Sequence, residues 1–444
     1  MKGKRLIGLL LVASVLLATW TCTTALAAKR ELEVAIFECA YGMDFLKTLA
    51  AGYEKEHPDV KVNAWGNPRV WEQLRPRFIE GNPPDLMIPG WGFSTWPAIA
   101  ENQILALDEA LAGKSYDKKS VWKNTLQQLE SFQYKGKTYG VPYFLDVFGW
   151  WYNEALFKQK GWKVPKTWDE LWKLCDKMKS AGIAPFATCG LTPDYIVYWR
   201  WGVFEYYVQR LGGIKVLEDA LNMVPGAWKH EAILKAADIA QKVNRDGYFL
   251  QGTLGLSHTD SQVMFFTGKA AMIPVGSWVQ VESQDVIPKD FKLRFMVPPA
   301  IKGGKGDQTA IHVQSNTSAS WFVPAKAKNP DLAIDFLKYA TSLKNAMQST
   351  KLGASAVAVN GAFKAVTAAS VLSSWNAVAK AKTTFNSRVW ETRYPPFDKD
   401  YNIAIYDLVT MKKTPQQFAA YMEEAAEKIR QDKNTVWFPV KLSK

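Results

Sequence analysis

The spacing of apolar and polar positions changes period several times along this chain. Glu31–Glu38 is a short run rich in apolar and β-branched residues and reads as a strand. Asp44 then opens a helix whose Phe45, Leu46, Leu49 and Tyr53 fall on one face, and His57-Pro58 stops it. A second strand, Val60–Trp65, follows at once. Asn67-Pro68 supplies an N-cap and a first-turn proline for a helix bearing Trp71, Leu74 and Phe78, which Pro76 should kink or shorten. Asp85–Ile88 reads as a third strand. A βαβαβ order predicts a parallel sheet with right-handed crossovers. In such sheets ligands gather outside the carboxyl ends of the strands. The loops there are Cys39–Gly42, Trp65–Asn67 and Pro89–Ser94, and each sets an aromatic residue beside a glycine.

The longest extended signal is Tyr139–Asn153, apolar almost throughout, with the carboxylate of Asp146 in its middle. An acid inside such a strand must face a cavity or find a partner. We read the segment as crossing between two lobes, with Asp146 at the cleft. The pattern then restarts. Thr167 and Glu170 form a capping box for a helix running to about Ser180. A largely helical, aromatic-rich region spans Tyr195 to Asn244, where Trp199 and Trp201 cannot share a helix face, so at least one is structural. Val263–Trp278 reads as a helix end, a glycine turn, a buried strand and a Gly-Ser-Trp turn. Residues 302–310 are glycine-rich without the spacing of a phosphate loop and read as a flexible surface loop. Strand, helix and strand signals resume at Ala319–Pro324, Pro330–Ser342 and Leu352–Val359, and Pro415–Asp432 reads as a helix.

Residues 1–27 stand apart. Lys2, Lys4 and Arg5 precede an apolar run from Leu6 to Trp20, and Ala25-Leu26-Ala27 suits signal peptidase, so the leader reads as a secretory signal with the mature chain starting near Ala28. A lipoprotein acylated at Cys22 is the competing reading, disfavoured by Trp20-Thr21 before it. The remaining chain of roughly 417 residues is long enough for two domains. Its formal charge falls from +13 to +10 once the three leader cations are removed. Basic residues are spread among acidic ones, without the dense run that nucleic-acid binding calls for. Of Cys39, Cys175 and Cys189, the latter two are near enough in sequence to close a loop, and a buried free thiol at Cys175 is equally consistent; Cys39 is the one expected to stay unpaired.

Catalytic signatures are sparse. His57, His230, His258 and His312 are far apart, with no metal-ligand spacing and no nucleophile elbow, so no metal, cofactor or catalytic residue is assigned. Glu38, Asp85 and Asp146 are the carboxylates a glycosidase would draw on, although Asp85, after two prolines at a strand start, suits a turn better. Tryptophan is abundant, with 19 in the full sequence, and flat rings with a polar rim suit the C–H face of a pyranose. Those near strand ends, Trp65, Trp91 and Trp278, join Tyr41 as candidate ligand contacts.

Several segments, in order, resemble the family 1 extracellular solute-binding proteins of ABC importers: Tyr53–Val62, Gly81–Met87, Tyr139–Tyr143 with Trp151–Asn153, Pro165–Leu171, Phe266–Met272 with Gly276–Trp278, and Ala333–Leu337. The resemblance implies a periplasmic-binding-protein type II-like α/β fold of two lobes joined by hinge strands. Lobe 1 would comprise residues 28–143 and 311–355, and lobe 2 residues 144–310 and 356–444. It implies a sugar held in the cleft by hinge closure and handed to a membrane permease, with no enzymatic step, by a periplasmic monomer. A binder of peptides or anionic solutes is the alternative, and a glycosidase a more distant one. By the resemblance Asp146 lends a carboxylate to the ligand, Trp278 stacks on a sugar ring, and Trp91, Phe93, Glu38 and Tyr41 add contacts; the segments His312–Asn316 and Arg393–Asp398 fall in regions that line such clefts. Trp91-Gly92-Phe93 stands where the maltodextrin binder has a charged pair, which argues against maltose.

Overall fold

A computed structural model describes residues 29–442 apart from 354 and 391, so the leader and Cys22 lie outside the described residues. Two sheets organise the chain. In the first, β1 (Arg30–Phe37) lies between β2 (Val60–Asn67) and β3 (Leu86–Ile88), parallel to both. The helices Asp44–Glu56 and Val70–Glu80 make the crossovers. The second helix keeps Pro76 inside it and starts later than the Asn67-Pro68 signal suggested. Asn67 instead ends β2, and its side-chain oxygen accepts from the Arg69 amide at 2.7 Å.

Tyr139–Asn153 divides into β4 (Gly140–Pro142) and β5 (Phe144–Asn153). β4 closes one edge of the first sheet, and β5 is the central strand of the second. β5 is buried from Phe144 to Tyr152, which is why it reads as a continuous apolar run rather than an alternating one. The second sheet adds β6 (Ala184–Phe186), β7 (Ala270–Gly276), β8 (Leu293–Met296) and β9 (Ile311–Gln314). β7, β8 and β9 all pair antiparallel with β5. The chain returns to the first sheet as β10 (Ser320–Phe322), touches the start of β5 with β11 (Ala356–Val357), and adds β12 (Thr384–Phe385) beside β9. The capping boxes at Thr167 and Thr414 are formed.

Three expectations are corrected. The return to the first lobe does not fall at residue 311, because β9 pairs with β5, with Gln314 opposite Asp146; the crossing is 315–319. The glycine-rich segment before it is not a free linker. The Lys305 and Gly306 amides donate to the Leu211 and Arg210 carbonyls, and the Gln308 side chain bonds both Ile301 and Arg210. Nor is the C-terminal stretch confined to the second lobe. Phe438 packs at 5.6 Å from Trp96 and 4.9 Å from Tyr134 of the first lobe, and 6.1 Å from Tyr394 of the second. None of Cys39, Cys175 and Cys189 is joined in a disulfide, and the last two are buried.

Arg393 fastens that tail. Its guanidinium lies 3.6 Å from the Trp96 ring centroid. It donates to the carbonyls of Val389 (2.9 Å), Phe438 (3.1 Å) and, across the lobes, Ser131 (3.2 Å). Arg393→Met should therefore lower the unfolding free energy in urea by about 2–4 kcal/mol, since it strands buried carbonyls and removes a desolvated cation from an indole face; an unchanged urea midpoint would refute the clasp.

Candidate functional site

A cavity of about 450 Å³ opens between the lobes. The first lobe contributes the loop after β3. Gly92 lies flat against Trp71, where a Cβ would come within 2.3 Å of the indole, and Arg75 donates to the Gly92 carbonyl at 2.5 Å. This fixes Trp91, 4.7 Å from Trp71, with 55% of its surface exposed, and tucks Phe93 beside Phe78 at 4.9 Å. Trp91 and Phe93 both line the cavity.

The opposite wall comes from the helical turn at residues 197–204, which widens to a π-helix over Arg200–Phe204 and presents Tyr198 and Trp201 to the cavity. Trp150 Nε1 donates to the Gly202 carbonyl at 2.7 Å and pins that turn to β5. Trp199, its Nε1 bonded to the Ala240 carbonyl, is the structural member of the Trp199/Trp201 pair. Below lies Arg200, buried and bonded to Asp398 (2.8 Å) and Asn402 (2.6 Å), with Glu205 at 3.4 Å. Arg388 sits 4.4 Å from the Trp201 ring centroid and 5.7 Å from that of Trp278.

Asp146 is 1% exposed and forms a hub. Its Oδ1 accepts from Ser277 at 2.9 Å and Ser355 at 3.0 Å, and its Oδ2 accepts from the Tyr41 hydroxyl. Burial pushes its carboxyl above the usual range against the pull of these hydroxyls and of Arg388. Burial and the neighbouring Asp146 raise the Tyr41 phenol well above its ordinary value. Tyr41 also stacks on Phe144 at 4.2 Å. Ser277 belongs to the turn after β7, where the Trp278 ring folds back over Gly276; a Cβ at Gly276 would lie 2.0 Å from it. Trp278 is buried beside Tyr198 (6.1 Å) and Phe148 (5.8 Å).

Residues 40–347 match the family described as bacterial extracellular solute-binding protein. The chain belongs to that family. It is 25% identical over 340 residues to the diacetylchitobiose binding protein NgcE of Streptomyces coelicolor, covering 76% of this chain and 71% of that protein. It is 28% identical over 368 residues to the multiple sugar-binding protein of Streptococcus mutans, covering 80% and 82%. A solved chitin oligosaccharide binding protein superposes with a TM-score of 0.74 at 22% identity, covering 90% of this chain and 98% of that one, a likeness of fold. The fold is the type II, two-lobed one, and membership makes this an extracytoplasmic solute-binding protein.

In this solute-binding protein the sequence-derived residues separate into groups. Trp91 and Phe93 line the cavity, while Asp146, Tyr41 and Trp278 form the network behind it. Glu38 is half-buried at the end of β1, its amide donating to the Asn67 carbonyl at 3.1 Å. Three candidates are occupied elsewhere. Trp65 lies within β2 rather than in a loop, and its Nε1 donates to Glu33, itself paired with Arg77. Asn316 is a helix cap, accepting from the Ser318 amide at 2.8 Å. Arg393 is the clasp already described. Asp85 accepts from the Glu33 and Asn329 amides, the turn role its prolines suggested. Tyr198, Arg388 and Asn402 were not singled out, whereas Asp398, which lines the cavity, closes the Arg393–Asp398 segment that the resemblance pointed to; the i, i+3 spacing of Tyr198 and Trp201 was the one available signal for the others.

His312 is fully buried, stacks on Phe385 at 4.9 Å and accepts from the Ser387 amide, and burial together with the Arg388 charge depresses its pKa from 6.5 to about 3. The unfolded chain therefore binds a proton that the native protein does not between those values, and stability falls as pH drops through that window. Relative to His312→Gln, the parent protein should lose roughly 1.4 kcal/mol per pH unit below about 6.5 in urea titrations; parallel pH profiles would contradict this.

Proposed function

We propose that this protein captures a mono- or oligosaccharide outside the cytoplasmic membrane and delivers it to the permease of an ABC importer. The observation that carries the reading is the opposition of aromatic side chains across one cavity, Trp91 from the first lobe and Tyr198 with Trp201 from the second. Such faces pair with the C–H surface of a sugar ring, and the polar groups between them orient its hydroxyls. The diacetylchitobiose-binding and multiple sugar-binding relatives support a carbohydrate ligand.

Capture proceeds by closure of the lobes about the three crossings at 142–144, 315–319 and 359–369. The ligand stabilises the closed state by contacting both lobes at once. Asp146 acts through the groups it holds: the Tyr41 loop of the first lobe and the turn carrying Trp278. No bond is made or broken in this cycle. The leader directs the chain to the periplasm, where it works as a monomer.

Trp91→Ala should weaken oligosaccharide binding about tenfold in isothermal titration, from the loss of one stacked face. Its melting temperature without sugar should stay unchanged, because the ring is half exposed. Trp278→Ala should also weaken binding, as should Tyr41→Phe to a smaller degree. Wild-type affinity in both Trp variants would place the sugar elsewhere.

A further inference from the structure

Residues 336–390 contain six lysines and no aspartate or glutamate, whereas 42 acids over 444 residues would place about five in a stretch of that length. The fold turns part of this stretch outward as one surface. On the helix Leu343–Gly353, Lys344 and Lys351 lie two turns apart on the exposed side, flanked by the exposed Leu343 and Leu352. The chain turns at Gly361, where a Cβ would come 3.6 Å from Leu343 Cδ1, and the short helical turn Ala362–Ala365 exposes Phe363 and Lys364 just after it. Phe363 stacks on Trp375 of the helix Ala369–Val378, with ring centroids 6.3 Å apart. Leu372 lies one turn earlier on that helix, and the exposed Lys380 stands just past its end. Leu343, Leu352, Phe363 and Leu372 are between 37% and 48% exposed, so apolar and cationic side chains share the surface.

We propose that this surface, which brackets the crossing at 359–369, seats the protein on an anionic phospholipid bilayer. Four exposed lysines attract an anionic headgroup layer, and the leucines with Phe363 supply apolar side chains that enter the boundary between headgroups and acyl chains. The missing acids matter as much, because a carboxylate in this stretch would meet the lipid phosphates as a like charge. These cations are all lysine. Protein interfaces deplete lysine and favour arginine, whose planar fork rewards precise pairing, whereas a fluid headgroup layer needs only loosely placed positive charge. None of these residues lines the cavity between the lobes, so membrane contact and solute binding draw on separate side chains.

The test mixes the mature chain from Ala28, free of the leader and of Cys22, with vesicles of phosphatidylcholine alone or of equal parts phosphatidylcholine and phosphatidylglycerol, and measures co-sedimentation at 50 and 500 mM NaCl. The anionic vesicles should bind at least ~10-fold more strongly than the neutral ones at low salt, with the margin narrowing at high salt. Lys344→Gln and Lys364→Gln should each weaken binding to the anionic vesicles about fivefold. Both positions are exposed, so the melting temperatures of these variants should match the parent's. Phe363→Ser should weaken binding to the same vesicles by a similar factor, and that loss should persist at high salt because it is apolar. Equal binding to both vesicle types, or binding to neither, would overturn the proposal, as would lysine variants that sediment like the parent. Binding confined to vesicles that carry the permease would also overturn it and make the surface a protein contact.

Discussion

A single buried carboxylate ties the functional parts of this protein together. Asp146 sits near the start of the central strand of the second sheet, a few residues after the chain leaves the first, and it is removed from water. An ionisable group in such a place requires partners. It finds three hydroxyls, from the loop after the first strand, from the turn that carries Trp278 and from the segment before β11. No two of those hydroxyls are neighbours in sequence. The carboxylate therefore sets the position of a first-lobe loop relative to a second-lobe turn at the point where the lobes meet. Lobe motion and cleft geometry are coupled there.

The cleft repeats the same logic on a larger scale. Arg200, buried among Asp398, Asn402 and Glu205, draws the acceptors of one wall inward and so determines which groups remain for a ligand. The π-helical turn above it turns Trp201, itself buried, toward the cavity on one side while Trp199 anchors the other in the core. Across the gap, the close approach of Gly92 to Trp71 holds the Trp91 loop without covering the ring it displays. Each cavity-lining aromatic face is thus backed by a constraint made entirely within its own lobe, which allows the two faces to separate and meet again as rigid units.

Behind the hinge the C-terminal tail adds a contact of another kind. Phe438 and Arg393 link Trp96 and Ser131 of the first lobe to Tyr394 of the second, so the apolar core runs on from one lobe into the other. A link of this sort near the crossings restrains the lobes while leaving the cleft mouth open to change.

Much of the architecture was readable from local pattern. The βαβαβ order, the capping box at Thr167, the long buried strand at Asp146 and the Gly-Ser-Trp turn all follow from hydrophobic period, cap chemistry and chain stiffness, which act over a few residues. That Trp91 and Phe93 would lie at the cavity was readable because the carboxyl end of a parallel strand is fixed by topology. The roles of Trp65, Asn316 and Arg393 were not, because a tryptophan at a strand end, an asparagine before a turn or an arginine near the C-terminus looks alike whether it meets a ligand or a backbone carbonyl. Asn402 escaped notice for the same reason: its chemistry depends on Arg200, 202 residues earlier, and on which of its atoms that guanidinium takes. Sequence alone determined the elements and their order, since those are local free-energy minima; tertiary structure decided which polar groups are satisfied inside the protein and which are left for a ligand, since that depends on contacts between distant parts of the chain.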